Sequence, residues 1–197
     1  MIIVFARAPV PGEAKTRLIP KLGAWRAARL HARLALHALR TAQLADRAVE
    51  LHGTRRHTFF KNLKVKFRLQ RGKDLGERMH RALSKAKGPA ILIGTDCPML
   101  TPADLRRAAH WLRGGCDAVL APAEDGGYAL IGLRRPRREF FQGVRWGGAH
   151  VYADTVKRLA GYRWRALRPV WDVDRPEDLE RLRALRWTSR SRRGAPR

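Results

Sequence analysis

Residues 2–18, IIVFARAPVPGEAKTRL, join a short apolar run to a loop rich in proline, glycine and cations. A buried strand that opens into such a loop is how α/β proteins commonly hold phosphate groups. The prolines restrict the loop, Gly12 permits close backbone approach, and Lys15 and Arg17 supply positive charge. The alternative is an ordinary exit from a strand with solvated cations. No Gly-Lys-Ser/Thr sequence opens a helix here, so this is not a Walker loop.

The length of 197 residues predicts one domain, residues 1–186, followed by a basic and disordered tail, residues 187–197. No apolar run approaches the roughly 20 residues that a membrane span needs. No export signal is visible, and Cys97 and Cys116 lack metal-ligand spacing. We therefore expect a cytoplasmic protein with free thiols and no transmembrane segment.

The chain is strongly basic, with 42 Lys and Arg against 17 Asp and Glu and a net charge of +25. Such a charge favours anionic partners. The cations are spread along the chain, however, and no RNA-binding aromatic signature or zinc finger accompanies them. The composition therefore favours a polyanionic small molecule or an acidic membrane surface over specific binding of nucleic acid.

Helical and strand patterns alternate along the chain, which predicts a three-layer α/β/α sandwich with a mainly parallel, mixed sheet. Phe59 and Phe60 are expected to fill the core beneath an irregular turn. Strands are predicted at 2–5, 48–51, 65–69, 90–94, 117–121, 128–133 and 169–171, and helices at 23–46, 74–87, 101–113, 147–159 and 176–185.

Acidic residues follow three of the later predicted strands. Asp96 ends the buried run 90–94, where a carboxylate can hold a divalent metal or simply cap a turn. Glu124 and Asp125 precede two glycines, which suits either carboxylates presented to a ligand or a hairpin-like turn.

Asp172 and Asp174 follow the last predicted strand, and alternation along a strand end would point both to the same side. Asp174 could instead be the N-cap of the final helix. Cations after the first strand and acids after later ones together suit a phosphate–metal–carboxylate site. No Ser-His-Asp or Cys-His set with motif context supports covalent catalysis, and Cys97 is better explained as a small turn residue.

Five blocks occur in order: FARAPVPG with KTRL (5–18), DLGERM (74–79), IGTDCP (93–98), PAEDGGY (122–128) and DVDRPEDL (172–179). Together they resemble a bacterial glycosyltransferase-A-like family whose members are often described as transferases associated with radical-SAM proteins. The resemblance implies the nucleotide-diphospho-sugar transferase (GT-A-like) fold. That superfamily also contains the guanylyltransferases of molybdenum-cofactor and deazaflavin biosynthesis.

The resemblance also implies site roles. Asp96 would bind Mg²⁺ or Mn²⁺, and Asp172 or Asp174 would be a second ligand of the metal or of the acceptor, with Asp174 chosen for the metal. Glu124 and Asp125 would face the donor sugar or acceptor as catalytic carboxylates. A departure is Trp146-Gly147-Gly148, which replaces a Trp-Gly/Ser-Thr helix cap. The nucleotide and its phosphates would be contacted by Arg7, Pro11, Gly12, Lys15, Arg17, Asp74 and Arg78.

The expected function is metal-dependent transfer from a nucleotide-activated donor, with glycosyl transfer from a nucleotide sugar to an unidentified acceptor preferred. The alternative within enzymes is nucleotidyl transfer from a nucleoside triphosphate, which releases pyrophosphate. A third possibility is a non-catalytic protein that binds a nucleotide or an acidic polymer through its positive charge.

Overall fold

The computed structural model describes residues 1–185, which form three layers around a mixed sheet. The predicted tail, 187–197, lies outside the described residues. The strands are β1 (Ile2–Ala6), β2 (Val49–Gly53), β3 (Lys66–Leu69), β4 (Ala90–Ile93), β5 (Ala118–Pro122), β6 (Tyr128–Leu133) and β7 (Trp164–Ala166). The helices are α1 (Ile19–Leu22), α2 (Ala24–Ala45), α3 (Thr58–Lys61), α4 (Leu75–Leu83), α5 (Pro102–Arg113), α6 (Val151–Arg158) and α7 (Asp178–Ala184).

The sheet has the strand order β3-β2-β1-β4-β6-β5-β7. The first four strands in this order run parallel, β6 runs antiparallel to β4 and β5, and β7 is parallel to β5. Every residue of β1 and of β4 is buried, because helices cover both faces of the sheet. The predicted α/β sandwich with a mixed sheet is confirmed.

Two helical layers enclose the sheet. The apolar sides of α2 and α5 pack on one face through Ala38, Leu39, Leu105 and Leu112. The other face is covered by α4, through Met79, and by the segment around α6. No helix among residues 1–185 is long and apolar enough to cross a bilayer.

The order in which successive strands are added to the sheet reverses at β1. After β1 the chain pairs β2 and β3 on one side, and then returns to place β4 on the other side. In such sheets a crevice forms outside the carboxyl ends of the two strands where the order reverses, because their connections run in opposite directions. The loops that follow β1 and β4 therefore meet at one place.

Side chains cap the first turns of two helices. At α5, Thr101 and Asp104 bond reciprocally in a capping box, as their spacing predicts. At α4, the Asp74 carboxylate accepts a bond from Glu77 N at 2.8 Å. The Glu77 carboxylate accepts from Lys73 N rather than from Asp74 N, so α4 has a side-chain cap but no reciprocal capping box.

The region after residue 145 differs most from the prediction. Helix α6 begins at Val151 and not at 147, because Gly147 has a φ of +85° that a right-handed helix cannot contain. The predicted strand 169–171 is reduced to one bridge, Val170 with Ala123. The edge strand is instead β7, whose half-exposed, Arg-containing sequence carries no strong strand pattern.

A carboxylate on β2 is enclosed by cations. The Glu50 side chain is 11% exposed and lies 2.8 Å from both Lys66 Nζ and Arg68 Nε, and 3.1 Å from His52 Nε2. Burial raises the pKa of Glu50, but the bonds from Lys66, His52 and Arg68 outweigh burial and lower it to about 2. The ionised carboxylate therefore ties β2 to the edge strand β3.

We expect Glu50→Gln to lower the free energy of unfolding at pH 7 by about 3 kcal/mol, the equivalent of this pKa depression. Because a depressed pKa stabilises the fold only above the unfolded value, the difference from the wild type should shrink as the pH falls from about 4.5 towards 2. Urea denaturation across this pH range measures it, with Glu180→Gln as an exposed control. A difference that stays constant with pH would contradict the assignment.

Candidate active site

The loop after β1 folds back so that Lys15 points into the protein. Val10 N donates to Ala8 O at 2.8 Å, and Gly12 has a φ of +86°. Lys15 itself has a left-handed φ of +53°, and its side chain is only 3% exposed. A left-handed lysine costs about 1–2 kcal/mol, and a buried ammonium needs a negative partner. Contacts elsewhere must therefore offset both costs.

Two carboxylates supply those contacts. Lys15 Nζ lies 2.9 Å from Asp96 Oδ1 and 3.9 Å from Asp174 Oδ1. Arg17 Nη1 donates to the other oxygen of Asp174. The structure thus brings together four predicted site residues, which pair the cations of the first loop with acids from two later segments.

His31 on α2 completes this cluster and was missed by the sequence analysis. Its Nε2 donates to the carbonyl oxygen of Arg7 at 3.1 Å, and its Nδ1 lies 3.6 Å from Asp96 Oδ1. Burial raises the pKa of Asp96, but the Lys15 ammonium and His31 outweigh burial and hold that pKa well below its usual range. The available signal was an ionisable side chain among the mostly apolar buried positions of α2.

Lys15 Nζ and His31 Nδ1, which both lie near Asp96 Oδ1, also lack hydrogen-bond partners among the described residues. Both atoms are buried, and neither has a hydrogen bond of good geometry within residues 1–185. Asp96, in contrast, is 47% exposed. A buried ammonium with unused donor capacity beside an accessible carboxylate suits a phosphate group held together with a metal ion.

Asp172 adds a third acid at this place. Val173 N donates to Asp96 O at 2.8 Å, which joins the segment 171–174 to the end of β4. Burial, together with the negative charges of Asp125 and Asp174, raises the pKa of Asp172 to about 6. The acids therefore repel one another where they meet, and a cation would relieve this repulsion.

The donor set fits Mg²⁺ or Mn²⁺ better than a metal held by protein alone. Within the described chain, no three His, Cys, Asp or Glu side chains converge closely enough to hold a metal ion by themselves. Magnesium commonly takes one or two carboxylates and completes its shell with phosphate oxygens and water. Asp96 and Asp174, with Asp172 beside them, match that pattern.

Glu124 and Asp125, both predicted as catalytic, have different surroundings. Both carboxylate oxygens of Glu124 accept bonds from Arg181, at 2.7 and 3.0 Å. Asp125 is exposed, accepts a bond from Gly127 N at 2.9 Å, and borders the largest cavity of the site. Of the two, Asp125 is therefore the carboxylate that faces this cavity without an ion-pair partner among the described residues.

The remaining predicted nucleotide contacts have different surroundings. Arg7 and Arg78 line one cavity of about 280 Å³ at the ends of β1 and β2. Pro11 and Gly12 belong to the turn that directs Lys15 inward. Asp74 is occupied as the cap of α4, so its role in binding a nucleotide stays a prediction.

A cavity of about 450 Å³ adjoins the carboxylates, and the loop 145–150 forms its outer wall. This loop is held between two glycines. A Cβ on Gly76 would lie 2.5 Å from Trp146 Cζ2, and one on Gly126 would lie 2.1 Å from Ala149 O. Arg145 also bonds both oxygens of Asp154 on α6, at 2.8 and 3.0 Å.

The sequence analysis identified Trp146 only as part of a departure from a helix cap, since its contact with Gly76 joins residues seventy positions apart. Gly76 and Gly126 were identified only as members of the blocks 74–79 and 122–128. A glycine in such a block is explained here by the close approach of another segment.

Gly126→Ala should lower the free energy of unfolding by about 2 kcal/mol or more, since its φ is +87° and a Cβ would meet the backbone of Ala149. Gly88→Ala is the matched control, because Gly88 has open space around it. Chemical denaturation of both variants tests this expectation. Equal stabilities would mean that the loop 145–150 is not held at Gly126.

Comparisons with known proteins agree with this architecture. The crystal structure of a protein from Desulfovibrio desulfuricans G20, provisionally assigned as a nucleotide-diphospho-sugar transferase, superposes with a TM-score of 0.88. It is 32% identical to this chain, with coverage of 98% of this chain and 90% of that one.

Two curated relatives match over part of their length. A phosphoenolpyruvate guanylyltransferase from Rubrobacter xylanophilus is 36% identical over 116 residues, which cover 56% of this chain and 55% of the relative. A 2-phospho-L-lactate guanylyltransferase from Methanosarcina mazei is 23% identical over 113 residues, which cover 56% and 52%. The chain thus spans about half the length of these relatives.

The family model DUF2064, described as an uncharacterized protein conserved in bacteria, matches residues 35–148. This segment contains three of the five sequence blocks, from 74–79 to 122–128. An association with radical-SAM proteins stays a prediction. With the full-length structural match at 32% identity, the family model shows that the chain belongs to the DUF2064 family.

Proposed function

We propose that this protein transfers a glycosyl group from a nucleotide sugar to an acceptor hydroxyl, with a divalent metal ion. The observation that carries the proposal is the pairing of Lys15 and Arg17 with Asp96 and Asp174 at the carboxyl ends of β1 and β4. A diphosphate with a bound metal ion offers negative charge to Lys15 and Arg17 and positive charge to Asp96 and Asp174. It can therefore replace the ion pairs that these residues form with one another. The similarity to the Desulfovibrio protein supports the same reading.

On the donor side, Lys15 and Arg17 would bind the diphosphate, with Arg7 and Arg78 lining the adjoining cavity for the nucleoside. Lys15 is preorganised for this task by its buried position and by its unused donor capacity. Asp96 and Asp174, aided by Asp172, would hold Mg²⁺ or Mn²⁺. The metal would supply positive charge that stabilises the departing diphosphate.

On the acceptor side, Asp125 would act as the general base. The acceptor oxygen forms a bond to the anomeric carbon, the bond from that carbon to the phosphate oxygen breaks, and the hydroxyl proton passes to Asp125. The nucleoside diphosphate leaves with the electron pair of the broken bond. Asp125 suits this role because it is accessible and borders the large cavity.

Nucleotidyl transfer is the second candidate, and it is favoured by the names of the two curated relatives. In that reaction the acceptor attacks the α-phosphate of a nucleoside triphosphate, and pyrophosphate leaves. The same cations and acids would serve it. The released product separates the two reactions, since glycosyl transfer yields a nucleoside diphosphate.

A thermal-shift screen with nucleotide sugars and nucleoside triphosphates, with and without Mn²⁺, tests the proposal. At a ligand concentration of 100 times Kd we expect about 2.7 kcal/mol of stabilisation, or a rise in Tm of about 5–10 °C. Asp96→Asn should abolish the metal-dependent part of this rise. Asp117→Asn, at the opposite end of the sheet, is the control.

Full metal-dependent stabilisation of Asp96→Asn would exclude Asp96 as a metal ligand. If Mn²⁺ makes no difference for the wild type either, a non-catalytic binder that uses only its cations becomes the better explanation. Stabilisation by triphosphates alone would favour nucleotidyl transfer.

With the donor so identified, Asp125→Asn should lower kcat by about 10²–10⁴-fold while donor affinity stays unchanged, since a general base acts only on the acceptor. Glu124→Gln should cost less than about 10-fold, because Arg181 already holds that carboxylate. The rate at which the nucleoside diphosphate is released measures kcat for both variants. Equal losses in the two variants would contradict the assignment of the base.

A further inference from the structure

The cavity beside Asp125 has apolar walls. The side chains of Phe5, Met79, Leu92, Tyr128 and Trp146 line it, with Leu75 at its margin. Leu75 is 42% exposed, which leaves apolar surface uncovered at the cavity. Pockets of this size and lining bind small organic molecules, whose body packs on the apolar walls while a few polar groups fix the orientation.

The aromatic wall is formed before any ligand binds. Trp146 packs against the backbone at Gly76 and lies 6.4 Å from the ring of Phe141 in a stacked orientation. The bonds between Arg145 and Asp154 fix the base of the same loop. A rigid indole offers a large contact area at little cost in conformational entropy.

The polar part of the cavity is acidic. Asp96, Asp125 and Asp172 lie along one side. Among the described residues, the cations that line it are Arg17, which is paired with Asp174, and Arg175, which is exposed. Even with a metal ion held by Asp96 and Asp172, a phosphorylated acid placed inside would meet the Asp125 carboxylate and an apolar wall, with few cations to balance its charge.

We propose that this cavity takes an uncharged acceptor with an aromatic or alicyclic body, whose hydroxyl group is presented to Asp125. This inference rests on the proposed function, which it deepens by naming the acceptor class. It separates this chain from its guanylyltransferase relatives, whose names refer to phosphorylated acids. The ring would lie against Trp146, and the hydroxyl would lose its proton to Asp125 as its oxygen bonds to the transferred sugar.

The direct test is saturation-transfer NMR on the full-length protein with two probes, tyrosol as an uncharged ring-bearing alcohol and phosphoenolpyruvate as a phosphorylated acid. We expect saturation transfer to the tyrosol ring and little transfer to phosphoenolpyruvate. Trp146→Ala should weaken tyrosol binding at least 10-fold. Gly148→Leu, which adds bulk at the cavity lining without a left-handed φ, should do the same.

Gly88→Leu is the matched control, since it adds the same side chain to another open glycine far from the cavity. It should leave tyrosol binding unchanged. Tighter binding of phosphoenolpyruvate than of tyrosol would overturn the inference. Tyrosol binding that is unaffected by Gly148→Leu and by Trp146→Ala would also overturn it.

The thermal-shift screen separates this inference from the proposed function. If a nucleotide sugar stabilises the protein with Mn²⁺ but tyrosol does not bind, the acceptor class is wrong and the transferase remains. If tyrosol binds at Trp146 but no nucleotide stabilises the protein, the transferase is wrong, and the acceptor role falls with it.

Discussion

The buried ammonium of Lys15 is the constraint on which the site depends. A lysine whose side chain is almost fully enclosed needs negative partners, and here those partners come from two segments distant in sequence, after β4 and before α7. Its left-handed backbone could not persist in an isolated loop, because nothing would offset the strain. One ion-pair cluster therefore shapes the first loop, positions Asp96 and draws the segment 171–174 against the end of the sheet.

The same cluster explains why an Arg-rich chain can bring several acids together. Asp96, Asp125, Asp172 and Asp174 would repel one another without nearby cations. Burial, together with the charges of Asp125 and Asp174, raises the pKa of Asp172, so the nearby cations do not fully balance these acids. Most other acids of the described chain are used in ion pairs or helix caps, as Glu50 and Asp104 illustrate. Uncompensated negative charge is thus concentrated at the crevice.

Local patterns predicted the fold well. The buried strands β1 and β4 follow from residues adjacent in sequence, so the sequence alone was sufficient to predict them. The pairing of Lys15 with Asp96 could be anticipated only as convergence at one edge of the sheet. His31 and Trp146 could not be anticipated, because their roles depend on contacts across the fold. The start of α6 was misplaced because a positive φ at Gly147 depends on its neighbours in space.

The loop 145–150 is anchored at its base and open at its tip. Gly76 and Gly126 leave no space for a side chain where they touch the loop, whereas a Cβ on Gly148, which has no left-handed φ, would meet only Arg145 O at 3.9 Å. Variation can therefore accumulate at the tip without disturbing the cluster around Lys15. For the proposed transferase, side chains at the tip could therefore change which acceptor fits without changing the residues proposed to hold the donor.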